Sequence, residues 1–213
     1  MSQPGQSPAR LQVRGLECER GDKLVFRSLE FSLGDGGMLQ INGPNGSGKT
    51  SLLRILCSLA QPTEGEVLWD GISIHAQRQD YLRQMCYIGH AGGIKPGLSI
   101  RENLQVAQAL GNTRAGADIA TALAHFGLPG MEDEPVRNLS AGQRRRVGLA
   151  RLLLEDCALW ILDEPFTSLD RQGKATVERL LVEHCDGGGM TVFTTHQPLD
   201  LHNGNMKEIH LDT

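Results

Sequence analysis

The chain has 213 residues, a formal net charge of −4 and 39% hydrophobic residues, enough for one domain with an ordinary core or one domain with an added lobe. The acidic balance argues against nucleic acid as a partner, since phosphate-backbone binding calls for a basic excess. The longest apolar runs, such as Ala158-Leu159-Trp160-Ile161-Leu162, fall far short of the roughly 20 residues that cross a bilayer, and Cys18, Cys57, Cys86, Cys157 and Cys185 include no C-x-x-C pair, so neither a disulfide framework nor a zinc ribbon is suggested and a reducing compartment fits.

Residues 2–8 are rich in Ser, Gln, Pro and Gly, and residues 1–10 lack the apolar stretch of a signal peptide. A disordered start is expected there, with a folded domain over 11–213. Residues 11–16 and 24–33 alternate apolar with polar side chains and read as antiparallel strands with one wet face, joined through a Gly21-Asp22 turn. Asp35-Gly36-Gly37 then turns the chain into Met38-Leu39-Gln40-Ile41, a short apolar strand.

That strand feeds Gly43-Pro44-Asn45-Gly46-Ser47-Gly48-Lys49-Thr50, a Gly-x-x-x-x-Gly-Lys-Thr run. Its glycines permit backbone angles that a Cβ would penalise, so successive N–H groups can turn inward around phosphate oxygens. A helical pattern from Ser51 to Leu56 brings a positive dipole end beneath the same phosphates. Lys49 would reach the β- and γ-phosphates of a nucleotide and Thr50 would hold Mg²⁺. A chance glycine loop with an ordinary exposed lysine is the alternative, and the strand before and helix after it favour the phosphate loop.

Residues 61–66 break the pattern. Residues 67–69 and 72–74 resume it as short strands around Asp70-Gly71, with Trp69 read as packing. Met85-Cys86-Tyr87-Ile88 is a brief apolar strand ending at Gly89-His90-Ala91-Gly92-Gly93, where crowded glycines predict a hinge or a loop near ligand. Over about 92–155 the character becomes helical, with patterns at 101–110 and 115–126, and reads as a lobe inserted in the sheet. Asn138-Leu139-Ser140-Ala141-Gly142-Gln143-Arg144-Arg145-Arg146-Val147 opens a long helix ending near 155. Alone this is a capped helix with a solvated basic face, yet a hydroxyl and a glycine at a helix N-terminus also make a second anion site.

Leu159-Trp160-Ile161-Leu162-Asp163-Glu164 is a buried strand whose polar residues appear only at its carboxyl end, where open parallel sheets bind ligands. Asp163 is suited to orient the Mg²⁺ water shell and Glu164 to act as general base toward an attacking water. A helix cap is the plainer reading of the pair. A helix over 171–184 and a strand over 190–193 complete an alternation of strands and helices that implies a parallel sheet buried on both faces.

With Leu-Ser-Ala-Gly-Gln lying between the phosphate loop and the Asp-Glu strand, the sequence resembles the ATP-binding cassette (ABC) ATPases. The resemblance spans nearly the whole chain and implies a P-loop α/β fold: a RecA-like parallel core sheet, an N-terminal antiparallel β portion and an inserted helical lobe. In that family two cassettes meet head to tail, with each ATP between one copy's P-loop and the other's signature. The resemblance implies that Ser140 and Gly142 contact the γ-phosphate held by the partner's Lys49. It also implies that Asp170, in Ser168-Leu169-Asp170, is the acidic residue of the loop at the dimer seam. His196, in Thr194-Thr195-His196-Gln197, would touch the γ-phosphate and the catalytic water. The implied catalytic set is Glu164, His196 and Lys49; the implied cofactors are ATP and Mg²⁺.

Two departures stand out. The family's glutamine that ligates Mg²⁺ and senses the transmembrane partner is replaced by Ala91, so either His90 or water substitutes, or the coupling between ATP and partner is altered. No aromatic residue stands near Cys18-Glu19-Arg20 to stack adenine, so Arg20 is expected to stack its guanidinium instead. Within the family, Tyr87-Ile88-Gly89-His90, Gly93-Ile94-Lys95, Glu102-Asn103-Leu104, the 158–167 segment and Gln197-Pro198-Leu199 resemble the haem-exporter ATPases of bacterial cytochrome c maturation. That implies a peripheral protein on the cytoplasmic face of the inner membrane, bound to integral membrane permease subunits, whose hydrolysis drives haem export or release of a haem-loaded chaperone. The alternatives are an ABC ATPase for another substrate and a nucleotide-dependent switch with little hydrolysis. The sequence itself offers no direct haem site: His75, His125, His184, His202 and His210 form no paired ligand pattern and read as surface histidines.

Overall fold

The computed structural model describes residues 9–21, 23–196 and 206–211. In chain order its elements are β1 (Ala9–Arg20), β2 (Lys23–Gly34), β3 (Met38–Asn42), α1 (Lys49–Leu56), β4 (Glu64–Trp69), β5 (Ile72–Ser73), α2 (Arg78–Arg83), β6 (Met85–Ile88), α3 (Ile100–Leu110), α4 (Ile119–His125), α5 (Ala141–Leu154), β7 (Leu159–Leu162), α6 (Arg171–Asp186), β8 (Met190–Thr194) and β9 (Met206–His210). The antiparallel sheet runs β2-β1-β4-β5. The second sheet runs β6-β7-β8-β3-β9, and each neighbouring pair in it is parallel.

The apolar run of β7 shows how the layers are built. Side chains alternate across a strand, so Trp160 and Leu162 enter one core with α3, α4, α5 and α6, while Leu159 and Ile161 enter another with α1 and the antiparallel sheet. A continuous apolar strand is therefore a strand covered on both faces. The polar ends of β7 and β8 and the loop after β3 come together at the carboxyl edge of the parallel sheet, between the two cores. Among the described residues no helix is long and apolar enough to cross a membrane.

Several boundaries differ from the sequence expectation. The start expected to be disordered through residue 10 already belongs to β1 at Ala9 and Arg10; residues 1–8 lie outside the described residues, as do Asp22, Gln197, Pro198, Leu199 and His202. The Arg10 guanidinium lies 4.5 Å from the Trp69 ring centroid and 2.9 Å from Asp70, contacts between distant residues that leave no local pattern. Glu64, Gly65 and Glu66, read as a break, open β4: Gly65 adopts φ 81, and a Cβ there would stand 2.3 Å from the Gly15 carbonyl oxygen. The two chains cross at glycines. The helix read from 115 begins only at Ile119, where the Asp118 side chain accepts from the Thr121 N–H at 2.8 Å. Helix α2 and strand β9 were not expected. Six residues are too few to display a helical period, and β9 is a half-polar strand that, among the described residues, pairs with β3 alone.

His184 corrects a surface reading. Its ring stacks on Trp160 with centroids 3.6 Å apart and planes within 2°, and burial pulls its pKa down to about 4. A folded-state pKa below the unfolded value of about 6.5 gives stability that is complete above pH 6.5 and is lost as pH falls toward 4, because only the unfolded chain takes up the proton. Thermal unfolding from pH 7.5 to pH 5 is expected to lower the melting temperature of the wild type more than that of His184→Phe, which keeps a ring on Trp160 and cannot titrate. Equal shifts would contradict this.

Candidate nucleotide site

The phosphate loop leaves β3 at Gly43 and uses its glycines in different ways. At Gly43 (φ 148) a Cβ would stand 2.5 Å from Ser47 Oγ, and at Gly48 (φ 99) it would collide with Val25 at 2.2 Å, whereas Gly46 (φ 85) has nothing within 4 Å. The first and third are demanded by close packing and the second by backbone angle alone. Gly48 caps α1 without a side-chain hydrogen bond, so the first N–H groups of α1 remain to serve an anion. Ser47 Oγ is buried without a protein partner. Uncapped N–H groups at the start of α1, beside a buried hydroxyl with no partner among the described residues, fit a phosphate group.

Lys49 is 8% exposed and its Nζ donates to the carbonyl oxygens of Gly43 at 2.7 Å and Pro44 at 3.0 Å. Burial pulls its pKa below the ordinary lysine value, against the raising influence of Glu164 and Asp163. Next to it, Thr50 Oγ1 donates to Asp163 Oδ2 at 3.0 Å. Asp163 Oδ1 accepts from Thr194 Oγ1 at 2.9 Å, and the same hydroxyl accepts from the Glu164 N–H at 2.9 Å. One hydroxyl and one carboxylate suit a hard cation such as Mg²⁺, which keeps most of its six positions for water and phosphate oxygens.

Glu164 sits at φ 55, a left-handed angle unusual for a residue with a side chain. Its Oε1 lies 3.0 Å from His196 Nε2, and Oε2 accepts from Thr167 Oγ1 at 3.3 Å. Asn45, Gly46, Gly48, Lys49, Thr50, Ser51, Asp163, Glu164 and His196 line one cleft of about 570 Å³. Arg20, Lys23, Val25 and His90 complete its wall, and none of the lining residues is Phe, Tyr or Trp. His90 thus reaches the cleft from the 89–93 loop, and Ala91 does not.

Ser140, Gly142 and Asp170 do not line this cleft. Ser140 caps α5 in a reciprocal box: its Oγ accepts from the Gln143 N–H at 3.2 Å while its own N–H donates to Gln143 Oε1 at 2.8 Å. A Cβ on Gly142 would stand 2.6 Å from the Ser168 carbonyl oxygen, so the glycine is required within a single copy. Asp170 caps α6, its Oδ1 accepting from the Gly173 N–H and from Arg146 Nη2, both at 2.7 Å. The Gly173 N–H first, then Arg146, holds its carboxyl below the usual carboxylate range.

Two functional candidates escape the sequence reading. Thr194 joins Asp163 to the Glu164 backbone, and its signal is its place at the head of the string that holds His196. Arg145 was assigned to a solvated basic face, but it is 6% exposed and lies one and two turns before the buried Leu149 and Leu152, a spacing that was available in the sequence.

The family model described as ABC transporter matches residues 26–167, a span that begins in β2 and ends past Glu164. The chain belongs to the ABC transporter family. As an ABC cassette it binds and hydrolyses ATP. The curated relative named cytochrome c biogenesis ATP-binding export protein CcmA from Methylococcus capsulatus is 50% identical over 206 residues, covering 96% of this chain and 99% of the relative. The protein of the same name from Pseudomonas fluorescens is 51% identical, covering 94% and 95%. Among solved structures, an ATP-binding cassette captured as a dimer in a post-hydrolysis state with ADP and Pi superposes with a TM-score of 0.81 at 22% identity, over 95% of this chain and 97% of that one. This last likeness shows that the ABC cassette fold is shared.

Proposed function

We propose that this chain is the ATP-hydrolysing subunit of a membrane-bound cytochrome c maturation complex, powering haem export or the release of a haem-loaded chaperone. The observation that carries this reading is the 50% identity with a cytochrome c biogenesis export ATPase across 96% of the chain. The joint presence of Lys49, Thr50, Asp163, Glu164 and His196 around one cleft supports the chemistry.

In this reading the amides of the 43–50 loop and Lys49 bind the β- and γ-phosphates, while Arg20 and Lys23 meet the base at the rim. Thr50 and Asp163 hold Mg²⁺, which when bound offsets charge on the phosphate oxygens. Glu164 takes the proton of a water whose oxygen bonds to the γ-phosphorus, and the bond to the leaving ADP oxygen breaks. His196 orients Glu164 through Oε1, and Oε2, held by a long hydrogen bond from Thr167, keeps a lone pair to accept the proton. Ser140 and Gly142 of a second copy complete the γ-phosphate shell, with Asp170 at the seam. Loss of the γ-phosphate removes the link between copies and favours their separation.

A groove of about 360 Å³ beside the 89–93 loop, lined in part by Tyr87, Ile94, Leu104, Val106 and Leu110, supports docking of a permease subunit. Leu110 there is 84% exposed and Val106 41%, and apolar side chains grouped on one groove are what marks an interaction surface. The chain then acts as a peripheral subunit on the cytoplasmic face of the inner membrane.

Deleting the gene is expected to remove haem-stained c-type cytochromes, with restoration by the wild-type gene and none by Glu164→Gln. Unchanged cytochromes in the deletion strain would overturn the proposal.

A further inference from the structure

Arg145 lies in the second turn of α5, and each of its hydrogen bonds goes to a backbone carbonyl. Its Nη2 donates to the oxygen of Asp163 at 2.7 Å and its Nε to that of Pro165 at 3.3 Å. Its Nη1 donates to the oxygen of Gly89 at 2.9 Å and, more weakly, to that of His90 at 3.5 Å. The guanidinium therefore grips the chain on both sides of Glu164 and, with its third nitrogen, the loop that walls the nucleotide cleft through His90.

We infer that Arg145 is a positioning residue of ATP hydrolysis in this chain, holding Glu164 in its left-handed backbone conformation and tying it to the 89–93 loop. The inference rests on the proposed role of Glu164 as general base. Three observations carry it. First, burying a guanidinium is costly unless its donors are matched, and here the matched acceptors flank one strained residue instead of forming an ion pair. Second, Glu164 at φ 55 persists only if its surroundings over-determine it. The Thr194 hydroxyl holds its N–H, and Arg145 fixes the carbonyls on either side. Third, in the 89–93 loop Ala91 has no group that could bond a carboxylate, and His90 lines the cleft with no hydrogen bond to Asp163 or Glu164 among the described residues. Arg145 makes the connection through backbone instead. The planar fork of arginine reaches three directions at fixed angles, whereas a lysine ammonium is a single point on a flexible stem.

The test measures kcat and KM for Mg-ATP, calorimetric ATP affinity and thermal unfolding on the full purified chain as wild type, Arg145→Lys, Arg145→Gln and Glu164→Gln. Arg145→Lys keeps the charge and much of the volume. It is expected to fold, to bind ATP within about threefold of wild type and to lose kcat by roughly 10- to 100-fold, the scale of a small misplacement of a catalytic group. Arg145→Gln should lose at least as much. Wild-type kcat in folded Arg145→Lys would overturn the inference. So would a weaker ATP affinity with kcat unchanged, or failure of Arg145→Lys to fold, since either would leave Arg145 a binding or purely structural role. If Glu164→Gln itself turns over normally, the proposed general base fails; if only the Arg145 variants do, the base stands and this inference alone fails.

Discussion

Replacing Glu164 with glutamine is expected to lower ATP turnover by roughly 10²- to 10⁴-fold, the contribution of a positioned general base, while ATP binding survives. The substitution is nearly isosteric and leaves the backbone anchors untouched: the N–H at residue 164 still donates to Thr194 Oγ1, and Arg145 still holds the flanking carbonyls. What disappears is an oxygen able to take a proton. Because Lys49, Thr50 and the phosphate-loop amides keep their places, the loss falls on kcat with little change in affinity, the signature of an interaction made in the transition state. Steady-state phosphate release and calorimetry on the purified variant separate the two quantities, and wild-type turnover would refute the role of Glu164. The same variant, saturated with Mg-ATP, should accumulate as a two-copy species in light scattering, because a γ-phosphate that is not cleaved keeps its proposed contacts with Ser140 of the second copy.

The parts of this site that could be read from sequence are those whose chemistry is contiguous. Glycines at 43, 46 and 48 beside Lys49 and Thr50 declare a turn, an anion cradle and a cation ligand within eight residues. Asp163 and Glu164 stand out because polar residues end an otherwise apolar run, and Ser140 because a cap and a glutamine three residues later form a box. Tertiary packing decides the rest. Of Arg144, Arg145 and Arg146, only Arg145 turns fully inward; its spacing from Leu149 and Leu152 marks that face, but the carbonyls that make its burial possible, on Gly89, Asp163 and Pro165, are distant in sequence. His184 resembles a surface residue at the end of α6 until Trp160 arrives from β7 to stack on it. Arg10 and Trp69 meet across two strands, and β9 is a short half-polar strand that, among the described residues, pairs with β3 alone. In each case the deciding partner is distant in sequence.

Lys49→Ala is expected to abolish measurable ATP binding. Burial pulls the lysine pKa down, so the ammonium sits where water solvates it poorly, and a phosphate arriving at this nitrogen meets a cation with much to gain. Its present acceptors are two backbone carbonyls, at Gly43 and Pro44, which are weaker partners than an anionic oxygen. Removing one member of a buried charge pair costs on the order of 2–5 kcal/mol, or roughly 30- to 5,000-fold in affinity. The upper part of that range is expected here because the same side chain also fixes the shape of the loop through those two carbonyls. Calorimetry should then show no saturable heat at ATP concentrations that saturate Glu164→Gln, and turnover should vanish with it. A thermal unfolding midpoint close to wild type distinguishes this from misfolding, since α1 keeps Leu52, Leu53, Ile55 and Leu56 in the core. Retained ATP affinity in a folded Lys49→Ala chain would mean that the amides of the loop carry the phosphates alone, and that Lys49 serves the loop and not the nucleotide.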